Sequence, residues 1–126
     1  MEINVTLKGP LFDGRADAEM GMLLQECLDR VAAHAIEGVQ RNLNESIKNP
    51  TPYYETQVMI SNGTYDRSVN DRGVIYGPWL EGTSHRNAAT RFKGYFSFRR
   101  AADETRVRTN ALISGVVAQH VRKMGG

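Results

Sequence analysis

Apolar and polar residues alternate at the start of the chain, where Ile3, Val5 and Leu7 are separated by Asn4 and Thr6. Period two with β-branched residues predicts a short strand, stopped by Gly9-Pro10. After "FDGRADAEM", where Asp13 or Asp17 can cap a helix, the period changes. Met20, Leu24, Leu28, Val31, Ala35, Val39, Leu43 and Ile47 step by threes and fours. That spacing forms one stripe on a helix of about thirty residues. Leu23, Cys27 and Ile36 widen the stripe, while Glu26, Asp29, Arg30, Glu37, Arg41 and Glu45 fall off it. A helix this long in a small domain needs a sheet or other chains to lie against. "NPTP" at 49–52 ends it, because proline donates no hydrogen bond and restricts the residue before it.

The next stretch, "YYETQVMISNGTYDRSVN", predicts a strand, an Asn62-Gly63 turn and a returning strand. "GVIYGPWLEG" predicts a third strand of this meander, with Gly77-Pro78 at a bulge or an edge. Residues 82–98 show no period and predict an extended loop. From about Arg99 a second helix is expected, with Ala102, Thr105, Leu112, Val116, Val117, His120 and Val121 sharing a face. Asp103 and Glu104 near its start and Arg122 and Lys123 near its end suit the helix dipole, and Gly125-Gly126 stops it. The expected fold is a single α+β domain over residues 1–126. In it a small antiparallel sheet of three to four strands packs against a long N-terminal helix and a C-terminal helix.

Composition narrows the class. With 126 residues, 40% apolar and 24% charged, the chain suits one core and is no disorder candidate. No run approaches the roughly 18 apolar residues of a membrane span, so no membrane partner is expected. The N-terminus lacks a basic head followed by an apolar stretch, which predicts synthesis in the cytosol, and the sequons at Asn4, Asn44 and Asn62 are discounted accordingly. Cys27 is the one cysteine, so an intramolecular disulfide and a cysteine-rich zinc site are excluded; a buried apolar role on the first helix is expected.

Nothing in the spacing signals chemistry. Ser84 stands beside His85, but no nucleophile elbow surrounds them, and adjacent loop side chains rarely face each other productively. His34, His85 and His120 share no ligand spacing, and no phosphate-binding loop is present. No catalytic residue, metal or cofactor is expected, and the chain does not read as an enzyme.

Charge is distributed unevenly. Residues 1–81 hold 7 Lys/Arg against 12 Asp/Glu, a balance of −5, whereas residues 82–126 hold 9 against 2, a balance of +7. Oppositely charged halves allow head-to-tail contacts between copies, or a basic part turned toward phosphate. Within 82–100, Arg86, Arg91, Lys93, Arg99 and Arg100 are interleaved with Phe92, Tyr95, Phe96 and Phe98, and no acid intervenes. Three readings compete: an arm gripping a neighbouring subunit, a groove tracking nucleic acid, and a loop folded back on its own domain.

The segment "IYGPWLEGTSHRNAATRFKGYFSFRRAADE" resembles the head–tail joining proteins of tailed bacteriophages, which include neck, minor capsid and tail-completion proteins. The matching elements are Tyr76, Trp79, Leu80, Glu81, Gly82, Thr83 and Ser84, then Arg91, Phe92, Lys93, Tyr95, Phe98, Arg99 and Ala101. The long first helix and the central hairpin match in order. Where the family usually carries a proline-bearing loop, this chain has "HRNAATRFKGY". The resemblance implies a virion structural protein at the head–tail junction, made in the host bacterial cytoplasm. It would assemble as a cyclic homo-oligomer around the DNA channel. Its partners would be itself, the neighbouring neck, portal-adaptor or tail proteins, and genomic DNA contacted non-specifically. The expected interface residues are Trp79, Glu81, Arg86, Arg91, Phe92, Lys93, Tyr95, Phe96, Phe98, Arg99 and Arg100, with Arg86, Arg91 and Lys93 as DNA-channel candidates. A tail terminator capping the tail tube and a small nucleic-acid-binding protein are the alternatives.

Overall fold

The computed structural model describes residues 1–7, 18–46 and 52–124. The expected stops at Gly9-Pro10 and Gly125-Gly126, the caps at Asp13 or Asp17, and Ile47 lie outside the described residues, as do the side chains of Met20 and Lys123. The first strand, β1 (Glu2–Thr6), leads to the long helix α1 (Ala18–Ser46). A short helix α2 (Pro52–Gln57) precedes the hairpin of β2 (Met59–Asn62) and β3 (Asp66–Asn70). Two further short helices, α3 (Gly77–Glu81) and α4 (His85–Ala89), precede the second long helix, α5 (Ser97–Met124).

The architecture is α+β. Three antiparallel strands in the order β1-β3-β2 pack against α1 and α5, which also contact each other. Ile3, Val69 and Ile60 are register partners across the sheet, so one apolar row runs over all three strands. On α1, Leu24, Leu28, Val31, Ala35, Val39 and Leu43 are all buried, together with Leu23 and Cys27. Each buried Leu or Val contributes about 1.5–3 kcal/mol. The core falls into two clusters along the helix pair. One joins Val5, Leu7, Leu24 and Leu28 to Val116 of α5. The other joins Val39 and Leu43 to Tyr54, Val58, Val69, Phe98 and Ala101. The two helices approach closely at Gly38, where an added Cβ would stand 3.0 Å from that of Ala101. Polar side chains also cross between them. Arg41 reaches Glu104 at 2.6 Å, His34 Nδ1 lies 2.8 Å from Thr105 Oγ1, and His120 Nε2 lies 2.9 Å from Glu26 Oε2. Val121, expected on the buried face of α5, is 56% exposed. Among the described residues no helix is long and apolar enough to cross a membrane.

The expected meander differs in three places. Residues 52–57 form a helix, because Pro52 begins it, where a missing N–H costs nothing. The hairpin turn falls at Thr64 and Tyr65 instead of Asn62-Gly63, since the Gly63 N–H pairs with the Asp66 carbonyl at 3.1 Å. A tertiary clamp sets it there. The buried Arg67 guanidinium donates to Asp29 Oδ1 at 2.8 Å, to the carbonyls of Gly63 and Asp66, and to Gln25 Oε1. Gln25 Nε2 in turn donates to the Thr64 carbonyl at 2.7 Å. Third, "GVIYGPWLEG" forms turns and α3, with Pro78 in the first helical turn, so the third strand of the sheet is β1.

Burial pushes the Cys27 thiol up from 9.0 to about 11, with a smaller push from Glu26. A folded-state pKa above the unfolded value means stability fully present below pH 9.0 and lost as pH rises toward about 11. Urea unfolding between pH 8 and pH 11 is expected to show this decline, and Cys27→Ala is expected to flatten it. An equally steep decline in the variant would assign it to other groups.

Candidate docking surface

The surface that the two charge halves share is built on α3. Tyr76 precedes the helix, Pro78 lies in its first turn, and Gly82 ends it in the left-handed region at φ 101°. The Gly82 N–H bonds to the Pro78 carbonyl at 2.9 Å. A Cβ on Gly82 would stand 2.3 Å from the Lys93 carbonyl, and one on Gly94 (φ 98°) would stand 2.2 Å from the Gly82 Cα. Backbone meets backbone here, which is why residues 94 and 82 are both glycine. The Tyr95 N–H then bonds to the Leu80 carbonyl at 2.7 Å, and the Phe96 N–H to the Glu81 carbonyl at 3.2 Å.

Residues 82–98 therefore fold onto their own chain and do not project as an arm. Ser84 caps α4: its Oγ accepts from the Arg86 N–H at 3.3 Å, while the Asn87 side chain accepts from the Ser84 N–H at 3.0 Å. Buried Asn87 also donates to the carbonyls of Trp79 and Phe92, both at 3.1 Å, and so pins the segment to α3. The Trp79 and Phe92 rings lie 4.9 Å apart, and those of Phe92 and Tyr95 lie 5.0 Å apart. The Arg99 guanidinium sits 5.7 Å from the Phe96 ring centre, and Arg100 Nε donates to the Tyr95 carbonyl at 3.1 Å.

Three of the expected interface residues have work within the chain. Phe98 is 3% exposed and packs in the chain's own core. Glu81, 4% exposed, accepts the N–H of Phe98 at 2.8 Å and of Arg99 at 2.9 Å. It caps α5 from seventeen residues away, because Phe96, at the residue before the helix, offers no side-chain acceptor. Lys93 Nζ donates to the Asn87 carbonyl at 2.9 Å and, more weakly, to that of Ala88, satisfying the end of α4. Arg86 and Arg91 are exposed, and their guanidinium groups have no ion pair or hydrogen bond among the described residues.

Sequence reasoning passed over the turn that leads into α3. Asp71 is 0% exposed, and its carboxylate accepts from the Tyr54 hydroxyl at 2.8 Å, the Gly73 N–H at 3.0 Å and the Met1 amino group at 2.9 Å. Its carbonyl accepts from the Val74 N–H, and the Val74 carbonyl accepts from Gly77. Burial, then the Asp71 bond and charge, hold the Tyr54 phenol well above its ordinary pKa, so it stays a donor. This bracing lets Arg72 and Gly73 take left-handed φ values of 58° and 72°. It presents Ile75 to solvent at 96% exposure. A groove of about 410 Å³ opens beside it, lined by Ile75, Tyr76, Pro78, Trp79, Ser84 and Arg86. The available signal was "NDRG", an Asp-x-Gly turn followed by an isoleucine with no polar neighbour to balance it.

Among the described residues no group of three or more His, Cys, Asp or Glu is placed to hold a metal ion. Compared with known proteins, the chain matches no family model, no curated protein and no solved structure.

Proposed function

We propose that the chain is a bacteriophage virion structural protein that joins the capsid portal to the tail and assembles as a ring around the DNA channel. Its role is mechanical, with no reaction and no cofactor. The observation that carries this reading is how the segment bearing the family resemblance is used. Glu81, Gly82, Phe98 and Arg99 meet at one junction that fixes α3 to α5. Beside that junction, Ile75, Tyr76, Trp79, Arg86 and Arg91 are left turned outward on a braced frame. Aromatic and arginine side chains on a preorganised surface are what tight protein contacts use. Particles carrying a tagged copy, imaged by electron microscopy, are expected to show the tag as a ring at the head–tail junction. A tag found elsewhere in the particle, or absent from it, overturns the reading.

One observation favours a second role. Arg86 in α4 and Arg91 just beyond it have no acidic partner among the described residues, which also suits phosphate. Affinity of the isolated chain for short duplex DNA that falls steeply with salt is the result this reading requires.

A further inference from the structure

Strand β1 ends the sheet on one side, and two contacts reveal its hydrogen-bonding order. The Asp71 N–H donates to the Met1 carbonyl at 3.2 Å. Bonded pairs alternate along an antiparallel ladder, so Ile3 and Val5 bond to Val69 and Arg67. Glu2, Asn4 and Thr6 therefore turn their N–H and C=O groups away from β3. The far side of β3 agrees: the Gly63 N–H bonds to the Asp66 carbonyl, which turns the groups of Asp66 and Ser68 toward β2. No hydrogen bond to the main chain of Glu2, Asn4 or Thr6 is made among the described residues. The strand also lacks the usual guards of an edge. It carries no proline, lysine or bulge, and its five residues pair with β3 without a break.

A groove of about 360 Å³ lies beside this edge. Residues 3–7 form one wall, and Ala102, Thr105, Arg106, Thr109 and Asn110 of α5 form the other, with Val31 of α1 also in the lining. No β3 residue lines it, so it is on the open side of the strand. The lining offers no free charge. The Thr105 hydroxyl lies against His34, the Thr109 hydroxyl bonds to the Thr105 carbonyl, and Arg106 pairs with Asp103. A row of main-chain groups at strand spacing is satisfied by another extended main chain, and an uncharged lining suits apolar side chains on its inner face. The position of α5 narrows the source. The β1 edge of a second copy would bring its own α5 into the same space, whereas a segment with no helix layer of its own would not. We propose that β1 receives an extended arm of a different protein as an added strand, with uncharged, apolar side chains alternating into the groove and α5 as its cover. This goes beyond the head–tail role and does not depend on it.

Amide hydrogen exchange tests it with a probe, a short capped peptide of alternating valine and threonine with lysine at each end. In the free chain the amides of Asn4 and Thr6 are expected to exchange quickly, and those of Ile3 and Val5 slowly. Saturating peptide is expected to slow Asn4 and Thr6 about 10-fold. Asn4→Pro removes a donor on the open side alone, where an edge strand accepts proline, so it is expected to weaken peptide binding about 10-fold with a nearly unchanged urea midpoint. Thr109→Trp fills the groove from the α5 side and is expected to block the peptide as well. N-methylation of alternate peptide residues is expected to abolish binding in one frame and spare it in the other. The proposal is overturned by Asn4 and Thr6 amides already slow in the free chain, or by no binding at millimolar peptide. Binding that both variants leave unchanged, or equal loss from the two methylation frames, overturns it too. So does slow exchange that appears only as the chain is concentrated and that Asn4→Pro removes, which assigns the edge to a second copy. Each of these leaves the head–tail role standing, which the location of tagged copies in particles decides.

Discussion

Glu81→Ala is expected to lower folding stability by about 3–4 kcal/mol, because two backbone N–H groups at the start of α5 lose a charged acceptor inside the protein. Neither has a replacement. Phe96 supplies no acceptor at the cap position, and the buried site gives water little access. Glu81→Gln keeps one acceptor and turns an amide NH₂ toward the other N–H, so a loss of about 2 kcal/mol is expected. Urea unfolding measures both through the shift in midpoint at constant slope. A loss under about 1 kcal/mol for the alanine variant would show that the start of α5 is satisfied some other way. The same variant is expected to loosen residues 94–96 from α3. Their backbone bonds to Leu80 and Glu81 hold only while α3 and α5 keep their relative position.

Asp71→Asn has the second large effect, about 2–3 kcal/mol, since the carboxylate receives three donors and an amide cannot accept from all of them. Two readouts separate this from a generic core defect. Tyrosine titration followed by ultraviolet absorbance is expected to show Tyr54 ionising at lower pH, because the hydrogen bond and the charge of Asp71 both help to hold its pKa up. Amide exchange at Gly73 and Val74 is expected to speed up, because their N–H groups bond to Asp71. A Tyr54 titration that does not move would mean that burial alone sets the phenol's pKa.

What could be read in advance depended on range. The α1 stripe from Leu24 to Leu43 was legible because a repeat over several turns leaves one consistent face, and all six of its described members are buried. Strand β1 was legible from the alternation of Ile3, Val5 and Leu7. Helices α2 and α3 were misread as strands because five or six residues complete barely more than one turn, too little for a period to declare itself. Pro52, read as part of a helix stop, and Pro78, read as marking a bulge or edge, each serve in the first turn of a helix instead. The hairpin turn was displaced because Arg67 and Gln25 clamp it through contacts of long sequence separation, which outweigh the local preference of Asn-Gly. At the docking surface the aromatic and basic content of 82–100 was visible, but its division of labour was not. Phe98, Glu81 and Lys93 serve the chain's own fold. Among the described residues the most exposed large apolar side chain, Ile75, lay in a stretch read as strand, where a nearly unbroken apolar run does not show which residues face out.

The two core clusters lie end to end along α1 and α5, and Ile3 packs against both. Ile3 belongs to β1, which has the sheet on only one side. The continuous α1 and α5 also run through both clusters, so β1 is a third tie between the two ends of the domain, held by pairing on one side alone. Its unpaired edge is where an added strand from outside could lengthen the sheet without disturbing the helix pair behind it.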